Sequence, residues 1–301
     1  KMKRKLVFLI ALAAMLLLGA CNKDRGNLRL GIIKPSINHL PLSYILEDGS
    51  YKLEGLQLVY FNSGWEVQEA LIAGNIDAAI MPFTFVYTAA TKGYPLRIVS
   101  FLERESDAVV CPSGIGDGRS LEREKVGLLK ASSVDLLMRS WAKAESLNYE
   151  SVYFRSPNEL IAALQIGEVK AIVAYVPIIQ KLGEDFHALH WFGEQFPYHP
   201  CCDLVVNTRS FNPARKQMLK RVMLLVDEGI EALAKPELAR YIEAKYGLSP
   251  EQTQSALLHT KFRTGLDQEG KDFERNLMHL AVEMGYLDRV PAAEDIYLEL
   301  D

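Results

Sequence analysis

Apolar residues run unbroken in "LGII" (30–33) and "VGLL" (126–129). Each run ends in a lysine with a serine two places on: Lys34 and Ser36, then Lys130 and Ser132. Short, continuous apolar runs predict strands buried on both faces of a parallel sheet. The chain then repeats its own order. "VYFNS" at Val59–Ser63 returns as "VYFRS" at Val152–Ser156, and "ALIAGNIDAAI" at Ala70–Ile80 as "ALQIGEVKAIV" at Ala163–Val173, each 93 residues later. "EVQEALIAG" and "PNELIAALQIG" carry apolar residues at helical spacing and end on Gly74 and Gly167, suited to helix C-termini. Strand, helix, strand, helix, strand is a βαβαβ unit whose crossovers make its strands parallel. The expected fold is α/β: two βαβ-type lobes joined by a hinge.

After Arg209 the pattern changes. "PARKQMLKRVMLLVDEGIEALA", "ELARYIEAKYG" and "EGKDFERNLMHLAVEMGYL" read as amphipathic helices with no strand between them, expected to pack on the first lobe. We place lobe 1 at 22–110 and 203–301, and lobe 2 at 111–202. The crossings are expected near Asp107–Pro112 outward and Cys202–Asn207 back.

The first residues stand apart. Lys3, Arg4 and Lys5 precede an apolar run over Leu6–Leu18, too short for a membrane span of about 20 residues but right for a secretory signal. Leu18-Gly19-Ala20-Cys21 resembles the lipobox of bacterial lipoproteins. That resemblance implies a signal peptide and lipobox over 1–21, diacylation of Cys21, and a lipid-anchored, extracytoplasmic location. Losing residues 1–20 removes four cations and no acid, taking the formal charge from −4 to −8. An acidic chain is poorly suited to nucleic acid or to anionic lipid.

In open α/β sheets ligands bind beyond the carboxyl ends of the strands. Lys34, Ser36, Lys130, Ser132 and Ser133 sit at such ends, one set per lobe, and each set precedes a helix whose first N–H groups attract polar groups. Facing lobes would bring both sets to one cleft. The doubled lobe, the lipobox and "EALIAGNIDAAIMPFTFVYTAATKG" resemble type II solute-binding proteins of ABC importers. Within them the chain resembles the branch for nitrate, sulfonates, taurine and thiamine-precursor pyrimidines. The resemblance implies a monomer that carries a small solute to importer permease subunits. It also implies that "ALxxGxID", here Ala70 to Asp77, leads into a strand end lining the cleft at Pro82, Phe83 and Thr84. Asn38 and His39 resemble, with different spacing, an Asn/His element of the pyrimidine-binding members.

Side-chain chemistry ranks the solutes. Trp65, Phe83, Tyr175 and Tyr198 stand at expected strand ends, where flat faces suit a heteroaromatic ring. Trp65 leads, because "NSGWE" is turn-like; Asn62 and Ser63 begin that turn. A sulfonate or nitrate would want fixed positive charge, and only Arg155, Lys34 and Lys130 offer it. A ring-bearing, thiamine-precursor-like solute therefore ranks above a small organic anion. No nucleophile elbow and no His-Glu-x-x-His motif occurs, so no catalytic residue is expected. A small-molecule lyase on the same fold, or a lipoprotein that binds a partner protein, are the other readings. His187 and His190, three apart, suit one helix face. Cys111, Cys201 and Cys202 match no zinc spacing, so no metal or cofactor is expected. If the crossing segments pair as antiparallel strands, Cys111 falls within disulfide range of Cys201 or Cys202, with Cys202 favoured. Alternation along a strand lets only one of Cys201 and Cys202 face Cys111.

Overall fold

The computed structural model describes residues 26–47, 49 and 51–300. The signal, the lipobox and Cys21 lie outside the described residues. Eleven strands form two sheets among the described residues. The first sheet has the order β2 (Leu56–Phe61), β1 (Leu28–Ile33), β3 (Ala78–Pro82), β10 (Pro200–Asn207), β4 (Leu96–Glu105), β11 (Thr260–Phe262). The second runs β7 (Glu150–Phe154), β6 (Lys125–Leu129), β8 (Ala171–Tyr175), β5 (Asp107–Pro112), β9 (Phe186–Trp191).

The repeat is real in three dimensions. β1 lies parallel between β2 and β3, and β6 parallel between β7 and β8. Each triplet is then flanked by an antiparallel strand from a crossing segment, β10 beside β3 and β5 beside β8. β1 is almost wholly buried, as its apolar run requires. Gly74 and Gly167 both follow their helices with positive φ, 74° and 72°, where a side chain would be strained. Gly31 and Gly127 occupy equivalent places in β1 and β6. A Cβ would come within 2.5 Å of Ile76 at Gly31 and within 2.9 Å of Leu160 at Gly127.

Several expectations need correction. The chain leaves the first sheet at Glu105 and Ser106, both with positive φ (64° and 75°), and returns through the short helix Phe192–Gln195. So Asp107–Pro112 belongs wholly to the second sheet and Cys202–Asn207 to the first, and the sheet boundaries precede the expected 110/111 and 202/203. The physical reason is that each crossing strand pairs with the sheet it enters. β5 and β10 are therefore not neighbours, which removes the basis for a Cys111–Cys202 bridge; Cys111, Cys201 and Cys202 are free thiols. His187 and His190 lie on β9, not on a helix. β11 interrupts the C-terminal helices to pair with β4.

Those helices also do more than cover lobe 1. Pro213–Ala232 packs on Leu40–Glu47 and β1 of the first lobe. Gln268–Glu283 touches both β10 of the first lobe and the Ser133–Ala144 helix of the second. Its Leu277, Met278 and Ala281 join one apolar cluster with Val86 of lobe 1 and Leu137 of lobe 2. Pro250–His259 reaches lobe 2 through its contact with the short helix Ile178–Lys181, and His259 stacks on Trp191, centroids 3.7 Å apart.

Candidate functional site

Both lobes point their strand ends into one cavity of about 590 Å³. On lobe 1, β2 is followed by Asn62 and Ser63. The Ser63 hydroxyl caps the Gly64–Ile72 helix by accepting from Glu66 N (3.3 Å), and the Glu66 carboxylate accepts from Asn62 N (2.9 Å). Lobe 2 builds the same box 93 residues on: Ser156 accepts from Glu159 N (3.3 Å), and Glu159 from Arg155 N (3.0 Å). Ser132 caps Ser133–Ala144 by accepting from Asp135 N (3.4 Å). The starts of all three helices, at Gly64, Ser133 and Pro157, line the cavity.

Aromatic side chains come from both sides. Trp65 is 42% exposed and stands edge-on to Phe85, centroids 4.8 Å apart. A Cβ at residue 64 would run into the Phe85 ring, so Gly64 permits that contact. Tyr153, Phe154 and Tyr175 face them from lobe 2, with Lys130 and Arg155 as the cationic groups.

The floor is where the two crossings meet. Glu103 comes from β4, Asp107 from β5, Cys201 and Cys202 from β10, and all four are buried. Pro200 pairs with Arg104 and Cys202 with Glu103, so two steps along β10 oppose one along β4. This β-bulge lets both adjacent cysteines line the cavity, against the simple alternation expected. Burial and the neighbouring Asp107 charge push the Glu103 carboxyl up to about 8, so it holds its proton at neutral pH. Burial likewise raises Asp107, against the opposing pull of His199. The Cys201 contact draws Cys202 down, but burial and Glu103 prevail and leave it at about 11.

Ten of the expected residues line this cavity: Ser36, Asn38, Asn62, Ser63 and Trp65, then Pro82, Lys130, Ser132, Ser133 and Tyr175. Five do not. Lys34 lies outside it, 3.5 Å above the Tyr60 ring. His39 is buried behind Asn38, its Nδ1 3.0 Å from Asn38 Oδ1. Phe83 and Thr84 turn into the core at the start of Phe83–Thr91, and Phe85 takes the cavity position instead. Tyr198 stands half-exposed at the return crossing, where its N donates to Glu105 (2.8 Å). Sequence reasoning missed Phe85, Tyr153, Phe154 and the whole floor. The 93-residue offset from Tyr60 and Asn62 points to Tyr153 and Arg155.

The profile of the NMT1-like family matches residues 22–243. No curated protein matches by sequence. Among solved structures, the alkanesulfonate-binding protein SsuA from Xanthomonas axonopodis pv. citri, bound to MOPS, is similar at 18% identity, 90% and 98% coverage of the two chains and TM-score 0.78. A ligand-binding component of an ABC-type import system from Staphylococcus aureus, with zinc bound, is similar at 18% identity, 90% and 96% coverage and TM-score 0.76. The periplasmic nitrate-binding protein NrtA from Synechocystis PCC 6803 is similar at 16% identity, 90% and 83% coverage and TM-score 0.71. These likenesses establish the two-lobed α/β fold of type II periplasmic binding proteins.

Proposed function

The chain belongs to the NMT1-like family, and on that footing we propose that it captures a small organic solute between its lobes and passes it to the permease of an ABC importer. One observation carries this reading: capped strand ends from both lobes converge on a single cavity with aromatic side chains on both sides. Its volume lies in the range of small-molecule sites, about 300–1,000 Å³. The similar structures name sulfonate-type, nitrate and zinc ligands, so the fold alone does not choose the cargo.

The ring-bearing solute ranks first because Trp65, Phe85, Tyr153 and Phe154 supply flat faces from both lobes. A small anion ranks second, favoured by Lys130, Arg155 and the helix N-termini but opposed by the Asp107 carboxylate on the floor. In this reading Cys21 carries the lipid anchor, the protein works outside the cytoplasm as a monomer, and the lobes close on the solute as a population shift. Native mass spectrometry of the full chain purified without dialysis tests it. The expected result is one co-purifying small molecule with a ring chromophore. A bound sulfonate or nitrate would select the second reading; turnover of the bound molecule would make the protein an enzyme instead.

A further inference from the structure

The floor of the cavity offers chemistry that a ring-binding clamp does not need. One carboxylate oxygen of Glu103 and the sulfurs of Cys201 and Cys202 lie within 4.8 Å of one another. We propose that Glu103, Cys201 and Cys202 bind a thiophilic divalent cation of the zinc class, with its fourth position open to the cavity.

Three independent features support it. The first is donor type. Two thiolates and a carboxylate suit a borderline-soft cation, and three protein ligands with one open position are the pattern of zinc sites that engage a further molecule. Zn–S bonds of about 2.3 Å would place two tetrahedral sulfurs roughly 3.8 Å apart, so only modest side-chain rotation is needed.

The second is backbone design. On a regular strand Cys201 and Cys202 would face opposite ways. The bulge between Pro200 and Cys202 is what turns both toward Glu103. Such a bulge disrupts the ladder locally and here delivers two adjacent donors to one place. It also explains why cysteine spacing alone gave no metal signal: the third ligand comes from the paired strand β4, nearly a hundred residues earlier.

The third is unmet bonding. Glu103 is 2% exposed, and its Oε1 has no hydrogen-bond partner. A buried carboxylate oxygen left unpartnered is costly. Behind the cluster, Cys201 Sγ lies 3.7 Å from Asp107 Oδ1, and Asp107 Oδ2 lies 3.6 Å from His199 Nε2. His199 Nδ1 is 2.7 Å from the Phe196 carbonyl. Such an outer layer orients ligands in metal sites.

The test uses the full chain, reduced and then freed of reductant, with Cd²⁺ as probe and Zn²⁺ as competitor. One equivalent of Cd²⁺ should produce a sulfur-to-cadmium charge-transfer band that Zn²⁺ abolishes. Cys201→Ser and Cys202→Ser should each lower affinity about 100-fold or more, and Glu103→Gln about 10-fold with the band kept. Cys111→Ser should change nothing. Should the cysteine variants fail to fold, X-ray absorption on zinc-loaded wild-type protein counts the ligands, and two sulfurs are expected. No band, an unchanged band in Cys201→Ser/Cys202→Ser, or a sulfur-free zinc shell would overturn the site. The readout is sulfur ligation and does not depend on whether an organic solute binds.

Discussion

Tyr60 and Tyr153 hold equivalent places at the ends of β2 and β7, and each carries a lysine from the neighbouring strand end. Lys34 Nζ lies 3.5 Å from the Tyr60 ring centre and Lys130 Nζ 5.7 Å from that of Tyr153. Only the second pair lines the cavity. The opposite asymmetry holds at the other end of the sheets. In lobe 1 the Asp77 side chain is 1% exposed and bonds Arg29 (2.9 Å), with Arg215 3.3 Å away. The equivalent lobe 2 positions are Lys125 and Lys170, both exposed. One backbone plan has thus been used differently twice. Lobe 1 spends charge on holding its strands and a C-terminal helix together, whereas lobe 2 sets its charge at the cavity.

The largest test of that contrast is Asp77→Ala. It removes the charge-assisted hydrogen bonds of Arg29 and the ion pair of Arg215, both part-exposed, and should cost about 2–3 kcal/mol in denaturant unfolding, while Lys170→Ala should stay within about 0.5 kcal/mol. Equal effects would erase the distinction. The Asp77 carboxyl is raised by burial but brought below its ordinary value by Arg29 and Arg215. Its stabilisation is therefore complete above the unfolded carboxylate range and disappears as pH falls below about 4.

Next in size is Trp65→Ala. Its exposure predicts a loss of about 1–3 kcal/mol in solute affinity, read by calorimetry, with little change in the melting temperature of the solute-free protein. A large fall in melting temperature with unchanged affinity would return Trp65 to a packing role.

The lobes should also answer acid in opposite senses. His39 in lobe 1 is pushed down to about 3 by burial and then by Lys245 and Lys34. The unfolded chain takes up that proton from about pH 6.5 downward, so stability should fall by up to about 1.4 kcal/mol per pH unit below 6.5. His39→Leu should flatten the slope. The equivalent residue in lobe 2 is Asp135, which burial raises despite its bonds from Ala131 N and Tyr286. A raised carboxylate favours the folded state as pH falls, so Asp135→Asn should steepen the loss on acidification. Smallest is the lysine pair: Lys130→Ala should weaken solute binding by about 1 kcal/mol, several-fold in affinity, and Lys34→Ala should leave it unchanged.

Much of this was legible in the sequence, because parallel βαβ units write their signals locally. Apolar runs marked β1 and β6, Gly74 and Gly167 marked helix ends, and Ser132 marked a helix start at the cavity. Phe83 was mistaken for Phe85 because the Phe83–Thr91 helix begins there, and two residues of helix reverse which ring faces out. The floor was illegible for a different reason. Glu103, Asp107, Cys201 and Cys202 meet only through antiparallel pairings between distant segments, and a bulge then overrules the alternation on which strand reading depends.

The way β10 enters the first sheet bears on the order in which the molecule can be made. Lobe 2 draws all five of its strands from one unbroken stretch, 107–191, whereas β3 and β4 must wait for β10 to fill the gap between them. A chain emerging from its N-terminus therefore completes the inserted lobe while the first sheet is still split. The two exposed strand edges of that split sheet are the surfaces a chaperone would have to guard, since non-local pairing is slow and unpaired edges aggregate.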